Sequence, residues 1–207
     1  LVLNFDTEGK YTYKINTGMS EVVTSGEETF ARIFHEVEIL GVPIYHDMVL
    51  ATISFARKDM AACAKYVSNI TAQLRIALGS YFDHLHDQKI ARSIWLSYVQ
   101  GFYAWGVGSS GDDIFNGLSG NQVLLFQALD AFLGLEQYLS DLDQERNVPA
   151  RQRAFCKALF RHSFRKALSG TPNDEHEAQI QRDFEEIVKR LRVCDFRAYA
   201  STSLTFA

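Results

Sequence analysis

Proline is nearly absent from this chain of 207 residues: only Pro43, Pro149 and Pro172 interrupt it. Proline removes a backbone donor and clashes with the preceding helical turn, so long helices form where it is missing. Each of the three stands where a helical pattern would stop. Between them apolar residues recur at spacings of three and four, the signature of amphipathic helices. The expected fold class is therefore all-α, a helical bundle in one domain over 1–207, with helices packed on helices. Residues 1–18 are the exception. Tyr11-Thr-Tyr-Lys-Ile15 alternates and reads as an extended or irregular lead-in.

The first helix is expected from about Glu27 to Leu40, capped by Thr24 or Ser25 and stopped by Gly41-Val-Pro. A second covers Ile44 to Ala56, and Asp59 caps a third from Met60 to about Asp83. Residues 87–105 form an aromatic-rich helix containing Ile94, Trp95, Tyr98, Phe102 and Trp105. A Gly/Ser loop at 106–113, a helix at 120–139 and an acidic linker follow. Two helices, near 149–168 and 176–198, close the chain.

Composition narrows the function. Hydrophobic residues are 47% of the chain and its formal net charge is −4, which suits a globular protein and disfavours nucleic-acid binding. Cys63, Cys156 and Cys194 have no metal-type spacing and read as thiols in a reducing compartment. The six histidines offer no His-x-x-x-His pair, so no metal is expected. No apolar run reads as a membrane span and the first residues do not read as a signal peptide, so no membrane partner and a cytoplasmic location are expected. The chain does not begin with Met, and a further small domain upstream of Leu1 is an open expectation. Oligomeric state is left open.

The densest local pattern is Gly117-Leu-Ser-Gly-Asn-Gln-Val-Leu-Leu-Phe-Gln-Ala-Leu-Asp-Ala-Phe-Leu-Gly-Leu135. A Gly/Ser turn, whose glycines permit close backbone approach, runs into an apolar helix carrying Gln127 and Asp130 on one face. This block resembles the indoleamine 2,3-dioxygenase family, in which a similar Gly-Ser-Ala-Gly-Gln turn and Phe-Gln-x-x-Asp-x-x-Leu-Gly helix flank a haem pocket. Other segments are similar in the same order. They are Glu27–Leu40 with Gly-Val-Pro, His84-Leu-His-Asp87 before the aromatic helix ending at Trp105, Val148-Pro-Ala-Arg-Gln-Arg-Ala-Phe155, and Phe196-Arg-Ala-Tyr199. The likeness covers about residues 15–200.

The resemblance implies the large helical domain of that family and places a pocket between the 27–40 helix, the 87–105 helix and the Gly117–Gly120 turn. It assigns the lining to Phe34, Ile94, Trp95, Tyr98, Val99, Leu118, Ser119 and Gly120. It also places His35 there, with Glu38 on the same helical face, as candidates for acid/base work. Two departures fall on the chemistry. Ala200 stands where the family's iron-binding histidine would be, and Val99 stands where an arginine would pair the substrate carboxylate. Alanine has no lone pair for iron and valine no guanidinium.

These readings give one leading expectation and two alternatives. The first is a diverged, haem-free protein with no cofactor. It binds a small apolar or aromatic, indole-derived metabolite and transforms it by shape and proton transfer, as in cyclisation or isomerisation. The second is a haem dioxygenase with a substitute axial ligand. The third is a non-catalytic binding protein. The basic run Arg151, Arg153, Lys157, Arg161, Arg165 and Lys166 reads as a solvated face, with an acidic or phosphate partner as the alternative.

Overall fold

A computed structural model describes residues 5–12, 14–84, 90–99, 108–110, 113–115, 123–137 and 139–203. They are overwhelmingly helical, as the spacing predicts: α1 Glu21–Ala56, α2 Met60–His84, α3 Arg92–Ile94, α4 Leu124–Leu133, α5 Asp141–Asn147, α6 Ala150–Arg161 and α7 Glu175–Ser203. A π-helical turn, Trp95–Val99, continues α3, and a 3-10 turn, Arg165–Leu168, follows α6. The expected 106–113 loop instead contributes to a three-residue antiparallel hairpin, β1 Gly108–Ser110 with β2 Asp113–Phe115, Ser109 lying opposite Ile114. The lead-in carries one bridge, Phe5 to Tyr11.

The chain divides into two compact units. Leu1–Ile39, Gly79–Gln127 and Gln137–Ala154 form the first; Leu40–Leu78, Ala128–Glu136 and Phe155–Ala207 form the second.

The expected break at Gly41-Val-Pro43 does not occur: α1 runs unbroken for 36 residues with Pro43 inside it. Pro43 cannot donate to the Ile39 carbonyl, but Pro43 and Ile39 are both exposed, so water can satisfy that carbonyl. Val37, Ile44, Met48 and Ala51 are fully buried on either side of the proline. Their burial, about 1.5–3 kcal/mol for each large side chain, outweighs the roughly 3 kcal/mol that an interior proline costs. The helix also starts earlier than expected. Thr24 and Ser25 lie inside it, and the Thr24 hydroxyl donates back to the Ser20 and Glu21 carbonyls.

The unbroken helix also bears on the expectation that no apolar run reads as a membrane span. By length and composition α1 could cross a membrane, with an 18-residue window of mean hydropathy 1.5, one third of it buried. Val22, Ile39, Val42, Val49 and Ile53 are the exposed large apolar side chains of α1.

Elsewhere local chemistry sets the ends. Asp59 caps α2 as expected, accepting from the Ala62 N–H at 3.0 Å. The acidic linker is helix α5, capped by the Ser140 hydroxyl and bearing Asp141 and Asp143 in its first turn, where the helix dipole favours them. Helix α4 ends in a Schellman turn: the Leu135 N–H reaches the Asp130 carbonyl, the Gly134 N–H reaches Ala131, and Gly134 has φ +68°. That glycine also admits Ser163, whose hydroxyl donates to the Phe132 carbonyl at 2.8 Å. Around Phe132 the second unit gathers Phe164 and Phe184, with ring centroids 5.5–5.6 Å apart. Polar ties join its helices, with the Ser68 hydroxyl on Asp183, Gln73 on Asp47 and Arg190 on the Thr71 carbonyl.

Candidate functional site

The first unit is organised around a buried carboxylate. Glu27 lies one turn after Val23 and one before Phe30 and Ala31, on the buried face of α1, and is 1% exposed. Its Oε1 accepts from the Tyr11 hydroxyl and the Ile15 N–H, both at 2.7 Å. Its Oε2 accepts from the Asn16 N–H at 2.8 Å and from Asn16 Nδ2 at 2.9 Å. The same Asn16 amide donates to the Tyr98 carbonyl at 3.3 Å. One acid thus fixes the lead-in to α1 and to the π-helical turn. Burial pushes the Glu27 carboxyl upward, but the four donors outweigh it and the net direction is down.

Held this way, the lead-in lays Phe5 on His35. The two rings stack with centroids 4.2 Å apart and 24° between planes. The Arg32 guanidinium lies 4.9 Å from the Phe5 centroid, and Tyr11 leans on Phe5 at 5.3 Å. His35 is half-buried, and its pKa is lowered from the ordinary histidine value, first by burial and then by the Arg32 cation, with Glu36 opposing. The imidazole is therefore neutral near pH 7 and can accept a proton.

The other candidates fall as follows. Phe34 is buried and meets Phe30 edge-on at 5.0 Å, a core contact. Ile94 in α3 packs on α1 at Gly26. A Cβ on that glycine would lie 2.9 Å from Ile94 Cγ2, so only glycine allows this approach. Trp95, Tyr98 and Val99 lie in the π-helical turn rather than in a continuous α-helix over 87–105. Tyr98 is half-buried. Leu118, Ser119 and Gly120, together with His86, Phe102 and Trp105, lie outside the described residues.

Glu38, the other acid/base candidate, caps a helix. Its Oε1 accepts from the Leu124 N–H at 2.6 Å, placing a carboxylate at the first residue of α4, where unpaired donors and the helix dipole favour it. Among the charges acting on His35, Arg32 lowers its pKa and Glu36 opposes.

A second polar group was not expected from sequence. The Ser80 hydroxyl donates to Glu36 Oε2 at 2.9 Å, and His84 Nε2 lies 3.5 Å from the same oxygen. His84 Nδ1 is 2.8 Å from the Ser80 carbonyl, which can only accept, so Nδ1 carries the proton. The carboxylate, not the imidazole, stands between the other two groups, so this is not a serine nucleophile with its base. It fixes the end of α2 against α1.

Among the described residues no group of three or more His, Cys, Asp or Glu could hold a metal ion. The resemblance would set an iron ligand at position 200. Ala200 lies within α7, and the only histidine on that helix, His176, is 24 residues earlier, about 36 Å along the axis. The Cys63 thiol is pushed up to about 12 by burial and then by Asp59, so it stays protonated.

The signal that could have revealed the Glu27 network is an acid standing at a core position of an amphipathic stripe, since a buried charge must find partners. A search against known protein families gives no match, and a search of curated proteins gives none either.

Proposed function

We propose that this chain is a haem-free helical protein that binds a small apolar or aromatic metabolite, indole-derived in the leading case, beside His35 and transforms it by proton transfer. The observation that carries this reading is the neutral, half-buried imidazole of His35 under the aromatic ring of Phe5. A neutral imidazole on a rigid helix can take a proton from an acidic N–H or C–H and return it to another atom, the chemistry that cyclisation and isomerisation need. Phe34 and Ile94 supply apolar surroundings, and the Tyr98 hydroxyl, with Ser119, would hold the ligand's polar group. With Val99 in place of an arginine, the ligand at this site carries no free carboxylate.

The same stacking favours a second reading. Phe5 covers one face of the imidazole and Phe34 is packed, so a chain that binds partners without catalysis would show this arrangement too. Titration with indole, followed through the His35 ring protons by NMR, separates the two. The catalytic reading expects saturable shifts at His35 and Tyr98. Unchanged His35 resonances up to about 5 mM indole, a concentration that would reveal even millimolar affinity, would support the filled core.

A further inference from the structure

We propose a second binding site, independent of His35 and contained within the second unit, that takes a small amphipathic carboxylate. A cavity of about 330 Å³ lies between the 3-10 turn Arg165–Leu168, the segment after it and helix α7. Its size falls at the lower end for small-molecule pockets, roughly 300–1,000 Å³.

The cavity has a fixed wall and an apolar floor. Gln181 of α7 donates through Nε2 to the carbonyls of Leu168 and Gly170, at 2.5 and 2.8 Å, and so holds the turn in place. The Ser169 hydroxyl donates to the Lys166 carbonyl at 2.8 Å and tightens it. Leu168 and Phe184 are both buried and form the floor, with Phe184 braced by Phe132 and Phe164.

The charges decide the ligand class. Arg165 is half-buried and has no hydrogen-bond or ion-pair partner among the described residues. Arg153, half-buried in the same basic run, is employed: its guanidinium donates to the carbonyls of Gln144, Glu145 and Val148 and closes the end of α5, while Arg151 and Arg161 are exposed. Arg165 is left to face the cavity beside Lys166, with Glu185 also lining it. A planar guanidinium matches a carboxylate or phosphate in two parallel hydrogen bonds. Two cations and one anion leave a lining charge of +1. A monocarboxylate neutralises it; a phosphate dianion overshoots and meets Glu185. The floor then takes the apolar body attached to that carboxylate.

Calorimetric and NMR titration of the full chain with 3-phenylpropionate, 3-phenyl-1-propanol and inorganic phosphate tests this. Phenylpropionate should bind with a dissociation constant of about 1 mM or tighter, shifting the backbone amides of Ser169, Gly170 and 181–185, and the alcohol should bind at least about tenfold more weakly. Arg165→Gln should weaken phenylpropionate about tenfold, and Lys166→Gln should weaken it in the same direction if Arg165→Gln lowers the melting temperature. His35→Ala should leave this binding unchanged, which separates failure here from failure of the His35 reading. Equal binding of the alcohol, tighter binding of phosphate, undiminished binding in both charge variants, loss of binding on His35→Ala, or no binding at about 10 mM would each overturn the proposal.

Discussion

Glu27→Ala should lose about 3–5 kcal/mol of stability, measured by urea unfolding with the wild type alongside. The substitution removes the acceptor for the Tyr11 hydroxyl, two backbone N–H groups and the Asn16 amide, and leaves them facing a cavity. A buried donor without a partner costs about 1–3 kcal/mol, and partial rearrangement of the lead-in keeps the total below the sum. Glu27→Gln keeps one acceptor oxygen but turns an amide toward the donors, so an intermediate loss is expected. The pH dependence has a definite sign. The folded-state pKa is depressed, so this stabilisation is present above the ordinary glutamate value and disappears as pH falls through the lower folded value. The Ala and Gln variants should therefore show a shallower loss of stability in acid than the wild type. A Glu27→Ala protein within about 0.5 kcal/mol of wild type, the range of an ordinary surface change, would contradict the assigned role.

If the proposed proton-transfer function holds, His35→Ala should lower turnover of the ligand by about 10²–10⁴ while the protein stays folded, the range seen when a general acid or base is removed. The wild-type rate should hold its plateau below the ordinary histidine range, because burial and Arg32 keep the imidazole neutral there. Arg32→Gln removes that nearby cation, so the acid limb of the profile should move upward in pH. The same depressed pKa makes His35 a stabilising group that is lost in acid: as pH falls below the ordinary value, the unfolded chain takes the proton more readily than the folded one. An unchanged rate in a folded His35→Ala protein would leave shape alone as the catalytic device.

Much of the architecture is legible in the sequence where a local signal acts alone. Asp59 marks the start of α2, and low proline content with helical spacing identifies the all-α class. The sequence misleads where tertiary burial outweighs a local preference. Gly41 and Pro43 read as a stop, yet the core contacts of Val37, Ile44 and Met48 carry α1 through them, with the proline on the solvent side. The run Asp141–Asn147 reads as a linker because it lacks an apolar stripe, yet Ser140 and the first-turn acids suffice for a short helix.

The site was legible only in part, for a similar reason. Spacing places His35 and Glu38 on one helical face but cannot say what each side chain meets. Contacts from distant segments decide that: Phe5 for His35 and the Leu124 N–H for Glu38. Glu27 reads only as the start of a helix, because its four donors come from residues 11–16, a separate segment that only the fold brings onto it. Gly26 likewise reveals its purpose only once Ile94 is seen against it.

The central claim is that this helical protein works on an apolar small molecule without haem. The most direct measurement is an absorbance spectrum with native mass spectrometry of the purified protein. The account expects no Soret absorption, and a mass equal to the polypeptide alone or to the polypeptide with one small apolar molecule. A Soret band with one haem per chain would contradict it and would make Tyr199, Cys194 and His162 the ligands to substitute next.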